Sequence, residues 1–242
     1  MKHLRSAIQF LTILPVGRVG EFQPRSTAAC FPLVGLILGG LLVLSDMLFA
    51  RLWPPSIAAL LDVILLVILT GALHIDGLGD SADGLYGQWP KEKALAIMKD
   101  SRIGTMALVA IVCILAVKWA GINTIVADRR LFLLIIPAYA RGTSLFGFCF
   151  LPYGRPDSGT GQAFFNQPFG FKDFRYMIIP VVLSLFSGWR GIWLNLVFGL
   201  TLVVILRYYR KKMAGITGDM LGAMVEVTEA ILFLTAAIGG DL

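Results

Sequence analysis

The sequence predicts an all-α, polytopic transmembrane helical bundle of about seven spans, with six to eight compatible with the same pattern. Three observations predict it. Of the 242 residues, 57% are hydrophobic and only 15% are charged, whereas a soluble domain of this size needs roughly a quarter charged to cover its surface. Mean hydropathy is +0.79. The apolar residues run in long blocks rather than in the stripes of a half-buried element. Several blocks reach the roughly 20 residues that cross a hydrocarbon core about 30 Å thick.

Taken in order, the expected spans are 31–49, 56–73, 104–122, 131–151, 176–188, 191–206 and 220–238. The fifth is short and carries Pro180, so tilting, a kink or a re-entrant hairpin with its successor all fit. Residues 1–242 are expected to form a single integral membrane domain. Its loops 74–103, 152–175 and 207–219 are expected to form an active-site face. The short apolar run before Pro15 is broken by Gln9 and Thr12 and lacks a small-residue cleavage site, so no removable signal peptide is expected. Cys30, Cys113 and Cys149 lie far apart in apolar runs and read as small core residues.

Loop charge orients the bundle. With a cytoplasmic N-terminus, Lys2, Arg5, Arg18 and Arg25 precede the first span on that side, and Lys91, Lys93, Lys99 and Arg102 follow the second. Arg155, Lys172 and Arg175 follow the fourth, and Arg207, Arg210, Lys211 and Lys212 follow the sixth. The opposite face keeps Arg51, Arg129, Arg130 and Arg190. The same asymmetry accounts for the net charge of +6 through loops that attract anionic lipid. No basic stripe with interleaved aromatics is present, so nucleic acid is not an expected partner.

The acids need another cause, since carboxylates contribute little to topology. Asp76, Asp80, Asp83, Asp100, Asp157 and Asp219 all fall on the expected cytoplasmic side. Residues 74–84 read His-Ile-Asp-Gly-Leu-Gly-Asp-Ser-Ala-Asp-Gly. If the second span continues as a helix, Asp76, Asp80 and Asp83 stand at i, i+4 and i+7 on one face. Three like charges repel, and the interleaved glycines weaken the helix. A divalent cation and a ligand approaching the backbone would offset both costs; a solvated polar loop is the plainer alternative. Oxygen ligands suit Mg²⁺. Zinc is disfavoured, because His74 is the sole nearby nitrogen ligand and no cysteine is close.

Two further stretches belong to the same side. In Met98-Lys99-Asp100-Ser101-Arg102-Ile103-Gly104-Thr105, Asp100 or Ser101 can cap the third span. The helix-terminal amides with Lys99 and Arg102 can then clamp phosphate. Thr217-Gly218-Asp219 opens the last span, and Glu226 and Glu229 follow on roughly the same helical side. Intramembrane carboxylates seek partners, and Lys118 and Arg141 are the cations available inside spans, either as structural ion pairs or, for Arg141, facing the site. Asp46 and Asp62 lie nearer the opposite face and are expected to be structural or interfacial.

The ordered set 71–84, 98–104 and 217–223 resembles the cobalamin synthase family of adenosylcobinamide-GDP ribazoletransferases. The similarity extends to Phe10-Leu-Thr-Ile-Leu-Pro-Val, Phe31-Pro-Leu-Val-Gly and Pro137-Ala-Tyr-Ala-Arg141. The chain departs at Ile13, where the family usually carries Arg, and slightly at Ala72 and Gly79. The resemblance implies the last step of cobamide nucleotide-loop assembly in a cell membrane, the inner one where there are two. Adenosylcobinamide-GDP and α-ribazole, or its 5′-phosphate, would yield the coenzyme and GMP by Mg²⁺-dependent transfer of a phosphoryl group. It implies metal ligation by Asp76, Asp80, Asp83 and Asp219. Arg102, Lys99 and Arg141 would offset developing charge, and Asp83 or His74 would take the proton of the attacking hydroxyl. Asp100, Ser101, Gly104, Thr217 and Gly218 would contact substrate. The lipid bilayer, a second copy of the chain and soluble enzymes of the pathway are the other partners compatible with this reading. A transporter, a non-catalytic scaffold and a CDP-alcohol-phosphotransferase-like lipid enzyme compete with it. The clustering of acids at one face rather than at the midplane favours surface chemistry over transport.

Overall fold

A computed structural model describes residues 2–17, 22–155 and 161–239. Arg18 and Asp157, counted above with the cytoplasmic charges, lie outside the described residues. Eleven α-helices occur among the described residues: α1 (Lys2–Leu11), α2 (Pro24–Ala29), α3 (Phe31–Leu52), α4 (Pro55–Leu69), α5 (Leu73–Tyr86), α6 (Lys91–Ile97), α7 (Thr105–Thr124), α8 (Arg129–Phe150), α9 (Ile178–Ser184), α10 (Trp189–Met213) and α11 (Gly218–Ala237). The only pairing of extended backbone among them is an isolated bridge between Tyr153 and Ile216. The all-α expectation is met.

Pro24, Pro32 and Pro55 stand in the first turns of α2, α3 and α4, where a missing N–H costs nothing. The centre of the bundle is α8 against α3 and α11. Along the apolar window of α8, 83% of residues are buried, against 22% for α7 and 33% for α10, so α7 and α10 turn their apolar faces outward. Leu108, Val112, Leu196 and Leu200 are exposed there, as lipid contact requires. Gly35 and Gly39, one turn apart on α3, let it approach the α8 backbone: a Cβ at either would stand 2.3 or 2.1 Å from a backbone atom of Ala138 or Leu134. Small residues spaced in this way are how membrane helices pack closely.

Five helices are long and apolar enough to cross a membrane, or six if α4 and α5 are joined. The expected seven is not reached by this measure, for two local reasons. First, the apolar run 56–73 is not one helix. α4 ends at Leu69, Gly71 and Ala72 both adopt left-handed φ of +57°, and α5 leaves at 88° to α4. The elbow is tied by Ala72 N–H donating to Val67 O and Thr70 Oγ1 donating to Leu66 O. The apolar run is thus a bent pair of helices, with α5 packed against α11 and α7. Second, 176–188 holds only the seven-residue α9 between two 3₁₀ turns, Phe171–Met177 and Leu185–Ser187. It is fastened to α8 and α10 where the Tyr139 hydroxyl meets Ser184 Oγ at 3.2 Å and Asn195 Oδ1 at 2.6 Å.

Several contacts join segments near the α5 end. Lys212 Nζ donates to Gly87 O at 2.6 Å, Arg210 to Phe150 O at 2.8 Å, and Gly154 N–H to Ile216 O at 2.8 Å. At the other end Arg129 pairs with Asp46 at 2.6 Å and stands 3.6 Å from Asp62, the structural role expected for both acids. Cys30 is buried, but Cys113 and Cys149 are exposed: they lie on outward faces, not in the core.

Candidate active site at one end of the bundle

Three of the α5 glycines serve helix packing. A Cβ at Gly77 would stand 2.7 Å from Asp219 O on α11, one at Gly84 would meet Met98 and Ala94 O beyond and within α6, and one at Gly79 would touch Ala107 and Ile111 on α7. Their helical cost is thus offset by contact with three neighbouring helices, rather than by a ligand at the backbone. The Gly77 crossing brings the α5 carboxylates beside Asp219 in the first turn of α11.

Asp76 is exposed and Asp80 half-buried. The Asp80 carboxyl is pushed up to about 6, first by burial and then by the charges of Asp76 and Asp219, with Arg155 opposing and Asp83 adding. The other three acids of the expected metal set thus lie near enough to act on Asp80. Arg155 balances them: its Nη2 lies 2.6 Å from Asp219 Oδ2. Sequence reasoning passed over this residue in its site. The bridge of Tyr153 to Ile216 folds residues 152–155 onto the start of α11, and only that fold-back makes Arg155 a neighbour. Thr217 is buried and caps α11, accepting from Met220 N at 3.2 Å, with its hydroxyl 3.3 Å from Asp219 Oδ2.

Asp83 is differently engaged. Its Oδ2 accepts from Gly104 N at 2.7 Å and its Oδ1 from Ala107 N at 2.9 Å. The carboxylate thereby occupies the positive N-terminus of α7, where Asp100 or Ser101 was expected to cap and phosphate to bind. Asp100 instead holds Arg102 at 2.5 Å, which draws its carboxyl down to about 2. Lys99, Ser101 and Arg102 are exposed.

Arg141 does not face the site. It is 1% exposed and pairs with Glu229 inside the bundle, while Lys118 Nζ bridges Glu226 at 2.5 Å and Glu229 at 2.6 Å. Two cations and two anions balance there, so the ion-pair alternative describes these residues.

A cavity of about 130 Å³ lies between the ends of α1, α3, α5, α8 and α11. Asp76, Asp219 and Gly218 form one part of its wall, His74 and Ser144 another, and Phe10, Phe31, Phe148 and Phe164 a third. His74 and Asp76, two positions apart on α5, both line the cavity. The His74 ring is 4% exposed, and Nδ1 has no hydrogen-bond partner among the described residues. Burial, with Arg141 and Lys118 nearby, lowers its pKa well below the ordinary value.

Among the described residues, no three His, Cys, Asp or Glu side chains stand together closely enough to enclose a metal ion. The donor set fits Mg²⁺ nonetheless. It is all oxygen, it carries excess negative charge beside one arginine, and Mg²⁺ is ordinarily held by one or two carboxylates with waters and substrate phosphates rather than by a protein cage.

These features define a multi-pass helical membrane protein with an acid-rich cavity at one end. Residues 3–237 match the model of the cobalamin-5-phosphate synthase family, and the chain belongs to that family. Relatives named adenosylcobinamide-GDP ribazoletransferase span nearly its whole length. The protein of Pseudomonas putida is 38% identical over 96% of this chain and 97% of its own. That of Geotalea daltonii is 35% identical over 97% and 96%, and that of Acetivibrio thermocellus 32% over 97% and 96%. No solved structure matches the chain.

Proposed function

We propose that the chain joins adenosylcobinamide-GDP to α-ribazole, or its 5′-phosphate, with release of GMP, at the last step of cobamide assembly. The observation that supports this reading beyond family membership is the crossing at Gly77, which packs α5 against the first turn of α11, with Asp76 and Asp219 both on the wall of one cavity. In the reaction a ribose hydroxyl of the acceptor attacks the phosphorus attached to the cobinamide arm. A new P–O bond forms, the bond from that phosphorus to the bridging oxygen breaks, and GMP departs with its electron pair. Such a displacement needs positioning and charge neutralisation more than covalent help.

Asp76, Asp80 and Asp219 would hold Mg²⁺ in this reading, and the ion would supply neutralisation of the diphosphate charge. Asp83 fixes α7 against α5, and each of its oxygens keeps a second lone pair for a metal or water. Arg155 limits the repulsion among the acids and faces the phosphates. Of the two candidate bases, His74 is the better placed, because it lines the cavity and has an Nδ1 without a partner among the described residues, whereas both Asp83 oxygens already accept from amides. Thr217 and Gly218 shape the wall beside the diphosphate, with Lys99 and Arg102 at the rim. The site faces the cytoplasm of a cell membrane, as the loop arginines and lysines direct.

The test is to supply adenosylcobinamide-GDP, α-ribazole and Mg²⁺ to membranes carrying the protein and to measure coenzyme and GMP. Equal amounts of both are expected, and neither without a divalent cation. Absence of product with all three present overturns the assignment.

A further inference from the structure

We infer that the phenylalanine-walled part of the cavity is the base pocket of the acceptor ribonucleoside, shaped for a flat apolar aryl base rather than for the guanine of the donor. This rests on the proposed function and assigns its second substrate a place. Phe10, Phe31, Phe148 and Phe164 come from α1, α3, α8 and the 3₁₀ turn Gln162–Phe165 and line one cavity. Phe148 stacks on Phe164 at 5.1 Å with planes 11° apart, and Phe10 on Phe31 at 5.9 Å and 6°; Phe31 and Phe164 are tilted by 59°. The two stacked pairs thus present aromatic surface in two orientations.

The polar complement of the cavity is short: His74, Ser144, Asp76 and Asp219. The His74 ring is more than nine-tenths buried with Nδ1 unpartnered, a buried nitrogen whose cost a bound ligand removes. Guanine carries donors and acceptors along several edges, and phenylalanine walls answer none of them, so burying it here leaves polar groups unpaired. A benzimidazole-type base offers stacking area and a single ring nitrogen. With that base among the phenylalanines, its ribose reaches the wall where His74 and Asp76 stand, which is where the attacking hydroxyl is required.

The test uses the full chain in proteoliposomes, with Phe10→Ala, Phe148→Leu and Phe164→Leu made singly. Phe10 is 38% exposed, so its variant keeps the fold even where the buried pair does not. Equilibrium dialysis of α-ribazole and the KM of each substrate are measured. Loss of base stacking is expected to weaken α-ribazole binding and raise its KM roughly tenfold, with the KM for adenosylcobinamide-GDP unchanged. A rise in the KM for adenosylcobinamide-GDP alone, or no change in either, overturns the pocket. If the unaltered protein forms no coenzyme, the proposed function fails. Dialysis then still decides the pocket, through α-ribazole binding that Phe10→Ala weakens or leaves intact.

Discussion

At the scale of single residues, the carboxylates are the most consequential groups, and they divide by what already holds them. Asp76 and Asp80 have no hydrogen-bond donor among the described residues, Asp219 shares Arg155 and Thr217, and Asp83 is committed to two amides. Asp76→Asn and Asp80→Asn are expected to lower GMP release at least 100-fold, roughly what losing a metal's negative ligand costs, while the protein still inserts. Near-normal turnover in either would remove the metal assignment. Asp80 also sets a pH dependence. Its folded pKa of about 6 lies above the ordinary 3.8, so the folded protein holds this proton after the unfolded chain has lost it. Without cation, the group's contribution to stability falls as pH rises from about 4 through 6. Cation and proton compete for the same charge, so Mg²⁺ affinity, read by calorimetry, should weaken about tenfold per pH unit below 6. The i, i+4, i+7 spacing made these three acids legible in the sequence. Arg155 was not legible as a site residue, because its nearness to Asp219 depends on a loop folding back across 64 residues of chain.

At the scale of elements, the elbow between α4 and α5 and the cap on α7 are the two decisive joints. Hydropathy runs unbroken through 56–73, so the pattern gives no sign of the turn at Gly71 and Ala72. Composition speaks of burial, and direction is set by two left-handed residues, one of them not glycine. Ala72 at φ +57° is strained, so Ala72→Gly should stabilise the protein by about 1 kcal/mol, read as a higher thermal midpoint in detergent. The cap is equally hidden, since Asp83 serves a helix that begins 22 residues later. Asp83→Ala should cost about 1–2 kcal/mol by exposing the amides of Gly104 and Ala107. Asp83→Asn, which keeps an acceptor oxygen, should recover part of it. If the Asn variant folds as well as the parent yet releases no GMP, the carboxylate also serves the metal.

At the scale of the whole molecule, the buried quartet Lys118, Arg141, Glu226 and Glu229 ties α7, α8 and α11 together. Its members were legible as misplaced charges within apolar spans, and their mutual pairing follows from the cost of leaving any of them alone. Glu229→Gln leaves Arg141 without its partner and should cost about 3–5 kcal/mol, seen as a large drop in thermal midpoint. Removing both, as Arg141→Leu with Glu229→Leu, should restore much of that stability, because a matched apolar pair replaces a matched ionic one. Coenzyme formation should return with it if Arg141 only braces the helices. Restored folding without activity would instead give Arg141 a part in the chemistry.

The right-angle elbow has a last consequence, for energetics across the bilayer. By turning α5 off the line of α4, it brings the α5 acids beside the first turn of α11, and the proposed reaction would run there on one side of the bilayer. A charge displaced through the full field gains or loses about 2.3 kcal/mol per 100 mV. Charges that approach, react and leave on one side traverse almost none of that drop. Turnover should therefore be indifferent to voltage: imposing a potassium diffusion potential of either sign on proteoliposomes should leave the rate of GMP release unchanged.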